Sequence, residues 1–309
     1  MCWLLLAPGL AWLVVRLLGA ERGHGIQLVA FTPYVAGGAL LPAVLALALR
    51  RRRAAVVALV TAIGLGAAVA PRAVGSVEAA AGRPVLRVLA ANLLAGAADP
   101  AAVVDLVRRA EVDVLAVQEL TPDAATSLDR HGLRALLPHR VLEPIVGTEG
   151  SGLYSRLPLR DTGVRRNGGG FRQAYGTLTP HGGAPVTVES VHPMAPASAW
   201  ALPWWERDLA AQPPATPDGP VRVLAGDFNA TLDHARLRRL LRTGYRDAAD
   251  VVGAGLVGTW GPYDGDPIPP VTLDHVLADR RVRVLDFAVH PVPGSDHRAV
   301  LAVLAPPSD

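Results

Sequence analysis

Hydrophobic residues are concentrated at the start of the chain, in three nearly uninterrupted runs. These runs cover residues 3–18, 26–49 and 54–70. A membrane-spanning helix needs about 20 apolar residues, with about 17 as the lower limit. The second run has 24 residues without a charge, the third has 17, and the short first run carries Arg16 near its end. The pattern predicts three transmembrane helices, in a membrane domain of residues 1–75.

Arginines around the apolar runs predict how the chain crosses the membrane. Arg50, Arg51, Arg52 and Arg53 fill the short segment between the second and third runs. Such clusters stay on the cytoplasmic side. We therefore expect a multi-pass protein of the cell membrane with a cytoplasmic N-terminus and an extracytoplasmic segment beyond Gly75. A signal peptide is the weaker interpretation of the first run, since no basic segment precedes it and no small-residue cleavage site ends it.

After a linker at residues 76–84, the pattern changes to short β-type runs separated by helix-like and Pro/Gly-rich stretches. The predicted strands are residues 86–91, 114–117, 186–191, 221–225, 271–277, 282–289 and 299–304. The predicted helices are residues 100–110, 123–128, 204–211 and 234–243. The alternation is less regular than in a doubly wound sheet, so we expect packed sheets flanked by helices in an α/β domain of residues 85–309.

Composition limits the chemistry and the partners. Half of the 309 residues are hydrophobic and 18% are charged, which excludes a disordered chain. Cys2 is the single cysteine, so a disulfide framework and a cysteine-rich zinc site are both excluded. The pI is near 9.5, but residues 83–309 carry 23 arginines against 25 acidic residues. A near-neutral domain lacks the overall basic surface that nucleic-acid binding favours.

Polar residues stand where the predicted strands end or begin. Taken singly, each has an ordinary explanation as a turn residue, a helix cap or a residue before proline. Together they can line one crevice, because strand ends gather at one edge of a sheet. The residues are Asn92, Glu119, His192, Asp227, Asn229, Asp296 and His297.

Seven short strings in order carry a family resemblance. They are AANLL at 90–94, VQEL at 117–120, SGLYSRLPL at 151–159, SVHP at 190–193, AGDFNA at 225–230, TLDHVL at 272–277 and SDHRAV at 295–300. The set resembles the endonuclease/exonuclease/phosphatase superfamily, which implies a four-layer α/β/β/α sandwich over roughly residues 85–304. Three apolar runs before such a domain resemble the actinobacterial membrane proteins grouped with teicoplanin resistance.

The resemblance and the chemistry of phosphate esters together suggest a role for each polar residue. Attack on phosphorus needs a cation near the oxygens, a base for water and an acid for the leaving group. We expect the metal ligands to be Asn92, Glu119 and Asp296. We expect the catalytic residues to be Asp227 as base, Asn229 as orienting amide, His192 at the leaving group, His297 on a phosphate oxygen and Asp274 as the partner of His297.

Hard oxygen ligands favour Mg²⁺, with Mn²⁺ as an alternative. A zinc site built from His192, His290 and His297 is the less favoured alternative, because amide and carboxylate groups accompany these histidines. The overall prediction is a membrane-anchored phosphoesterase acting on a phosphate-containing, lipid-linked or envelope substrate. An external nuclease, and a catalytically silent binding or sensor module, are the alternatives.

Two further segments each have two interpretations. Indoles favour a membrane interface, so the loop with Trp200, Trp204 and Trp205 either approaches lipid or packs a helix onto a sheet. The arginines at 165, 166 and 172 flank three glycines, and this segment either folds over an anionic substrate or is a solvated loop.

Overall fold

The computed structural model describes residues 2–261 and 268–308. Its N-terminal part is helical. Helices α1 to α5 span Cys2–Leu18, His24–Val29, Thr32–Gly38, Leu40–Ala48 and Arg52–Val69, and a 3₁₀ turn follows at Ala70–Ala73. Helices α1, α3 and α4 all pack against α5. The apolar runs therefore form one small helical bundle.

The prediction of three transmembrane helices is not supported by the lengths of these helices. Among the described residues, one helix, Arg52–Ala73, is long and apolar enough to cross a membrane. The apolar helices Cys2–Leu18 and Thr32–Ala48 are shorter. A helix of 17 residues is only about 26 Å long, against a hydrocarbon core of about 30 Å. The second predicted run is shortened because its first residues form the separate helix α2.

Two six-stranded mixed sheets make up the rest of the chain. In chain order the strands are β1 Leu86–Asn92, β2 Val114–Gln118, β3 His139–Glu143, β4 Ser151–Ser155, β5 Arg160–Arg166, β6 Arg172–Leu178, β7 Val186–Val191, β8 Val221–Asp227, β9 Tyr245–Asp247, β10 Asp274–Asp279, β11 Arg283–Pro291 and β12 Arg298–Ala305. The first sheet has the order β11-β12-β1-β2-β4-β3 and the second β5-β6-β7-β8-β10-β9. β1 and β2 are parallel, and so are β7 and β8.

Helices α6 to α11 span Pro100–Arg109, Pro122–Arg130, Leu133–Leu136, Leu202–Ala210, Ala235–Arg242 and Ala248–Val252. The first five cover the outer faces of the sheets, whereas Ala248 and Ala249 of α11 belong to the core between the sheets. One apolar core lies between the sheets, one lies under α6 to α8, and one lies under α9 and α10. The predicted α/β/β/α layering is confirmed in two mixed sheets flanked by helices.

Alternation within the strands explains this layering. In β1, Leu86 and Val88 belong to the core between the sheets, whereas Leu89 belongs to the core under the helices. Within the second sheet, Gly226 of β8 lies very close to its neighbour β7, since it has a φ of 150° and a Cβ there would lie 2.2 Å from the Val191 carbonyl oxygen. Any larger residue at this position would push β8 away from β7.

The helical bundle and the sandwich are joined by buried contacts. Asp233 is fully buried after β8 and accepts hydrogen bonds from Arg16 at 2.7 Å and from Arg72 at 2.6 and 2.8 Å. The predicted linker also lies against the sandwich, where Ser76 donates to Val251 and Glu78 pairs with Arg246. The N-terminal segment is therefore held in place next to the loop that follows β8.

Candidate active site

The topology brings all eight predicted site residues to one end of the sandwich. Asn92 ends β1, Glu119 follows β2, His192 follows β7, and Asp227 ends β8. Asp274 begins β10 directly opposite Asp227 in the antiparallel register. Asp296 and His297 precede β12. These positions meet because the central strands of both sheets end at the same edge.

Asp227 lies at the centre of the cluster. Its Oδ1 accepts the backbone N–H of Asn229 at 2.8 Å, and its Oδ2 accepts Asn92 Nδ2 at 3.1 Å. The Nε2 atoms of His192 and His297 each lie 3.6 Å from the same Oδ2. Burial raises the pKa of Asp227, while the cationic His297 opposes this shift. A buried carboxylate with a raised pKa is suited to accept a proton.

His297 is held as an imidazolium between two carboxylates. Its Nδ1 donates to Asp274 Oδ2 at 2.9 Å, and its Nε2 faces Asp227. Burial by itself would lower the pKa of His297, but Asp274 and Asp227 outweigh burial and raise it to about 10. His297 therefore offers a positive N–H to an oxygen anion at neutral pH.

His192 differs in charge from His297. Burial lowers its pKa to about 4, so the ring is neutral at pH 7. The Phe171 ring packs edge-on against it with a centroid separation of 4.7 Å. Its Nδ1 is buried and has no hydrogen-bond partner in the described part of the chain. A neutral imidazole in this position can donate a hydrogen bond to a ligand but carries no permanent charge.

Glu119 and Asn92 are linked beside Asp227. Asn92 Nδ2 donates to Glu119 Oε1 at 3.1 Å, and the Ala95 N–H donates to Glu119 Oε2 at 2.5 Å. Burial raises the pKa of Glu119. Glu119 and Asn229 both have a left-handed backbone, with φ of 57° and 48°. Such conformations cost free energy, and they accumulate where a side chain must point in a required direction.

Asp296 lies next to His297 in the chain and also lines the cavity. Its Oδ2 accepts Trp260 Nε1 at 2.9 Å. Its Oδ1 is buried and has no hydrogen-bond partner among residues 2–261 and 268–308. An unpartnered buried carboxylate oxygen is unfavourable unless a donor or a cation binds to it.

The donors present fit a divalent cation that prefers oxygen. Asn92, Glu119 and Asp296 offer amide and carboxylate oxygens, the ligands that Mg²⁺ and Mn²⁺ favour. Asp227, Asp274 and His297 form a second group whose ligand atoms lie within 4.8 Å of one another.

The zinc alternative is not supported by the position of His290. This residue lies in the edge strand β11, paired with Ala299, and outside the set that lines the cavity. His290 therefore does not join His192 and His297 at the site, and the third histidine of the cavity lining, His234, has both ring nitrogens at backbone groups of Ile26 and Thr231.

A cavity of about 500 Å³ covers the cluster, and part of its wall comes from the N-terminal segment. Gln27, Ala30 and Phe31 line it together with six of the predicted residues. The hydrophobic pattern assigned these three to a membrane span and so missed them. Gln27, Thr32 and Pro33 interrupt the apolar run, and this interruption was the one indication in the sequence.

The three tryptophans of the loop at residues 200–205 differ in whether they pack inside the protein or are exposed enough to contact lipid. Trp205 is 1% exposed, and its Nε1 donates to the Asn229 carbonyl at 2.9 Å, so this indole packs helix α9 and supports the site. Trp204 lies against Arg207. Trp200 is 68% exposed. Among the three, only Trp200 has the exposure that contact with lipid requires.

The arginine segment forms an internal network instead of an open loop. Arg165 donates to Glu189 at 2.7 Å and to Gln212 at 2.8 Å, and Gln173 joins the same group. Arg172 pairs with Glu143 at 3.7 Å. Two of the three arginines are therefore engaged away from the cavity.

Comparison with known proteins agrees with this geometry. A family model described as Endonuclease/Exonuclease/phosphatase family matches residues 89–297. No curated protein matches the chain significantly.

Solved structures share the fold. An endonuclease/exonuclease/phosphatase from Beutenbergia cavernae DSM 12333 has a TM-score of 0.57 at 17% identity, over 73% of this chain and 72% of that chain. Truncated Caenorhabditis elegans TDP2 has a TM-score of 0.55 at 17% identity, over 72% and 97%. Sphingomyelinase C from Streptomyces griseocarneus has a TM-score of 0.51 at 17% identity, over 71% and 99%. Likeness at these identities establishes the fold alone.

Proposed function

Because this chain belongs to the endonuclease/exonuclease/phosphatase family, we propose that it is a divalent-metal-dependent phosphoesterase attached to a membrane. The observation that carries the proposal is the position of Asp227. Its carboxylate faces a cationic His297, a neutral His192 and the Asn92 amide within one buried cluster. This combination supplies a base and two donors of different charge around a single cavity.

Asn92, Glu119 and Asp296 are the residues that would hold the metal. When bound, Mg²⁺ or Mn²⁺ neutralises phosphate oxygens and favours attack by water. The unpartnered Oδ1 of Asp296 supports this assignment.

The remaining residues accept the proton of the attacking water or donate hydrogen bonds to the reacting oxygens. Asp227 accepts the proton of the attacking water, and its raised pKa suits it to that role. Asn229, fixed by its hydrogen bond to the Pro193 carbonyl at 3.1 Å, orients that water. His297 donates a hydrogen bond to a phosphate oxygen as charge develops there, and the neutral His192 donates a hydrogen bond to the leaving-group oxygen, which takes its proton from water. Asp274 keeps His297 protonated and oriented.

Membrane attachment is supported by the surface of the helical bundle. Of the 26 exposed large apolar side chains in the described part of the chain, 17 lie in residues 3–63. Contiguous exposed apolar surface of this extent marks a site of contact with lipid or protein. We propose that the three long helical segments of the bundle, Cys2–Leu18, Thr32–Ala48 and Arg52–Ala73, enter the membrane together. Arg52–Ala73 is the full span, and the two shorter segments pack beside it.

The arginine cluster gives the orientation that we propose. Arg50 to Arg53 lie at the end of the bundle next to Cys2 and Trp3, whereas Arg72 lies at the opposite end, against the sandwich. A cytoplasmic cluster therefore places the sandwich outside. Protease added to intact, wall-stripped cells should digest the chain beyond Gly75. Digestion only after lysis would place the site in the cytoplasm.

A lipid-linked or envelope phosphate, or pyrophosphate, is the substrate class that we propose. The bundle keeps the site close to membrane-embedded molecules, which raises their effective concentration. No arginine lines the cavity among the described residues, although binding to a nucleic-acid backbone depends on cationic side chains. One structural neighbour is a sphingomyelinase, which shows that this fold is compatible with a lipid substrate.

The proposal is tested with the purified full-length protein and Mg²⁺ on a panel of polyprenyl pyrophosphates, phospholipids and nucleic acids. We expect hydrolysis of a lipid phosphoester or pyrophosphate by the wild type and a loss of at least about 10²-fold for Asp227→Asn. Cleavage of nucleic acid alone, falling steeply as salt rises, would replace the lipid substrate with a nuclease function. Equal rates for wild type and Asp227→Asn would overturn the site.

A further inference from the structure

The cavity lining combines two chemically different groups of residues. One group is the acidic residues and histidines of the cluster. The other is apolar side chains that come from separate parts of the chain: Ala30, Phe31, Val271 and Leu273. A phosphate group needs only the first group. The apolar part therefore has a size and a chemistry that hydrolysis of a small phosphate ester does not require.

The N-terminal part of this wall is held firmly. The Ile26 carbonyl contacts His234 Nε2 at 2.8 Å, and the Ile26 side chain is 1% exposed in the core under α9 and α10. Gln27 Nε2 donates to the Pro196 carbonyl at 2.7 Å, and Tyr34 donates to the Pro270 carbonyl at 2.6 Å. Ala30 and Phe31 lie between these attachments, so the wall is a permanent part of the cavity.

The same wall leads from the cavity to the apolar surface of the bundle. Phe31 lies next to Tyr34, with ring centroids 6.4 Å apart, and Tyr34 is 48% exposed. Further along the same helical segment, Thr32–Ala48, Leu40 and Leu41 are 57% and 72% exposed. An apolar chain that leaves the cavity past Phe31 therefore meets apolar side chains instead of water.

We propose that Ala30 and Phe31 form the subsite for the apolar chain of an amphiphilic phosphoester, and that they set the preference of the enzyme for long-chain substrates. This proposal rests on the phosphoesterase function proposed above. The described cavity lining includes no arginine. A nucleic acid could stack its bases on the aromatic rings of the lining, but binding of its phosphate backbone depends on cationic side chains, so the lining favours an amphiphile. A long chain buries the exposed part of Phe31 and gains affinity through the hydrophobic effect.

Two probes with the same leaving group test the subsite: p-nitrophenyl hexadecyl phosphate and p-nitrophenyl methyl phosphate. The full-length protein is assayed with Mg²⁺ in mixed detergent micelles at a fixed mole fraction of probe. Phe31→Ala removes the wall, and Ala30→Leu fills the space beside it. Leu28→Ala is the matched control, because Leu28 belongs to the same segment and is 53% exposed but does not line the cavity.

We expect the wild type to prefer the hexadecyl probe. Phe31→Ala and Ala30→Leu should each lower kcat/KM for it by about tenfold, the value of one well-buried apolar contact, while kcat/KM for the methyl probe stays within about twofold. Leu28→Ala should leave both values unchanged. Equal losses on both probes, no loss on either, or an equal loss for Leu28→Ala would each overturn the subsite. If the wild type hydrolyses neither probe, the subsite as proposed is wrong, whereas the phosphoesterase function stands or falls on the panel of lipid and nucleic-acid substrates described above.

Discussion

Arg72 forms a bidentate ion pair with Asp233, with Nη1 2.8 Å from Oδ2 and Nη2 2.6 Å from Oδ1. Arg16 Nε lies 2.7 Å from the same carboxylate. Both arginines belong to the helical bundle, and Asp233 belongs to the loop that begins with Asp227. One buried charge cluster therefore links the bundle directly to the loop that follows the candidate base Asp227.

Arg72→Met should destabilise the protein by about 3 kcal/mol, because it leaves Asp233 buried with only Arg16 as its partner. Arg140→Met is the control, since the Arg140–Asp129 pair is partly exposed and should contribute less than about 1 kcal/mol. Thermal unfolding midpoints of the full-length proteins in detergent provide the measurement. Equal shifts for the two variants would show that the Asp233 cluster does not join the bundle to the sandwich.

His275 should make stability depend on pH. Burial alone would lower its pKa, but the charge of Asp247 and its hydrogen bond at 2.7 Å outweigh burial, and the pKa is raised. This contribution to stability is complete below the unfolded pKa of about 6.5 and is lost as pH rises through the higher folded pKa.

Asp247→Asn keeps the cap of helix α11, where Asp247 Oδ1 accepts the Asp250 N–H, but removes the charge. The difference in unfolding midpoint between wild type and variant should be largest at pH 6 and below, and should shrink as pH rises above about 6.5. A difference that stays constant, or widens, would show that His275 is not protonated in the folded protein.

Removing the central groups should abolish catalysis without unfolding the protein. We expect Asp227→Asn and His297→Gln each to lower turnover by at least about 10²-fold, because one removes the base and the other removes a charged donor to the developing oxyanion. His290→Gln should have nearly normal activity, since His290 lies outside the cavity. Comparable losses for His290→Gln and His297→Gln would restore the three-histidine zinc site.

Strands with strong apolar character were predictable from the sequence, and the weaker ones were not. All seven predicted strands overlap observed ones, although the run at 271–277 is shifted to β10 at Asp274–Asp279. The missed strands include β5, Arg160–Arg166, which lies at a sheet edge with polar side chains in solvent. Without burial on both faces, an edge strand has no apolar run to reveal it.

The site residues were predictable because strand ends and ordered motifs mark them. The wall formed by Ala30 and Phe31 was not predictable from the sequence. In a hydrophobic run, the positions that face lipid and the positions that face protein have the same composition. Contacts with the sandwich, such as those of Ile26 with His234, of Gln27 with Pro196 and of Tyr34 with Pro270, distinguish this segment from a membrane span. Such long-range contacts leave no periodic pattern in the sequence.

The central claim is hydrolysis of a phosphoester that depends on a divalent metal held by Glu119 and its neighbours. The most direct measurement is the release of p-nitrophenol from bis(p-nitrophenyl) phosphate by chelator-treated full-length protein as Mg²⁺ or Mn²⁺ is titrated back. We predict no hydrolysis without metal, full recovery on titration, and a higher metal concentration at half recovery for Glu119→Gln, because this ligand loses its charge. Hydrolysis that persists in chelator, or an unchanged metal midpoint for Glu119→Gln, would contradict the account.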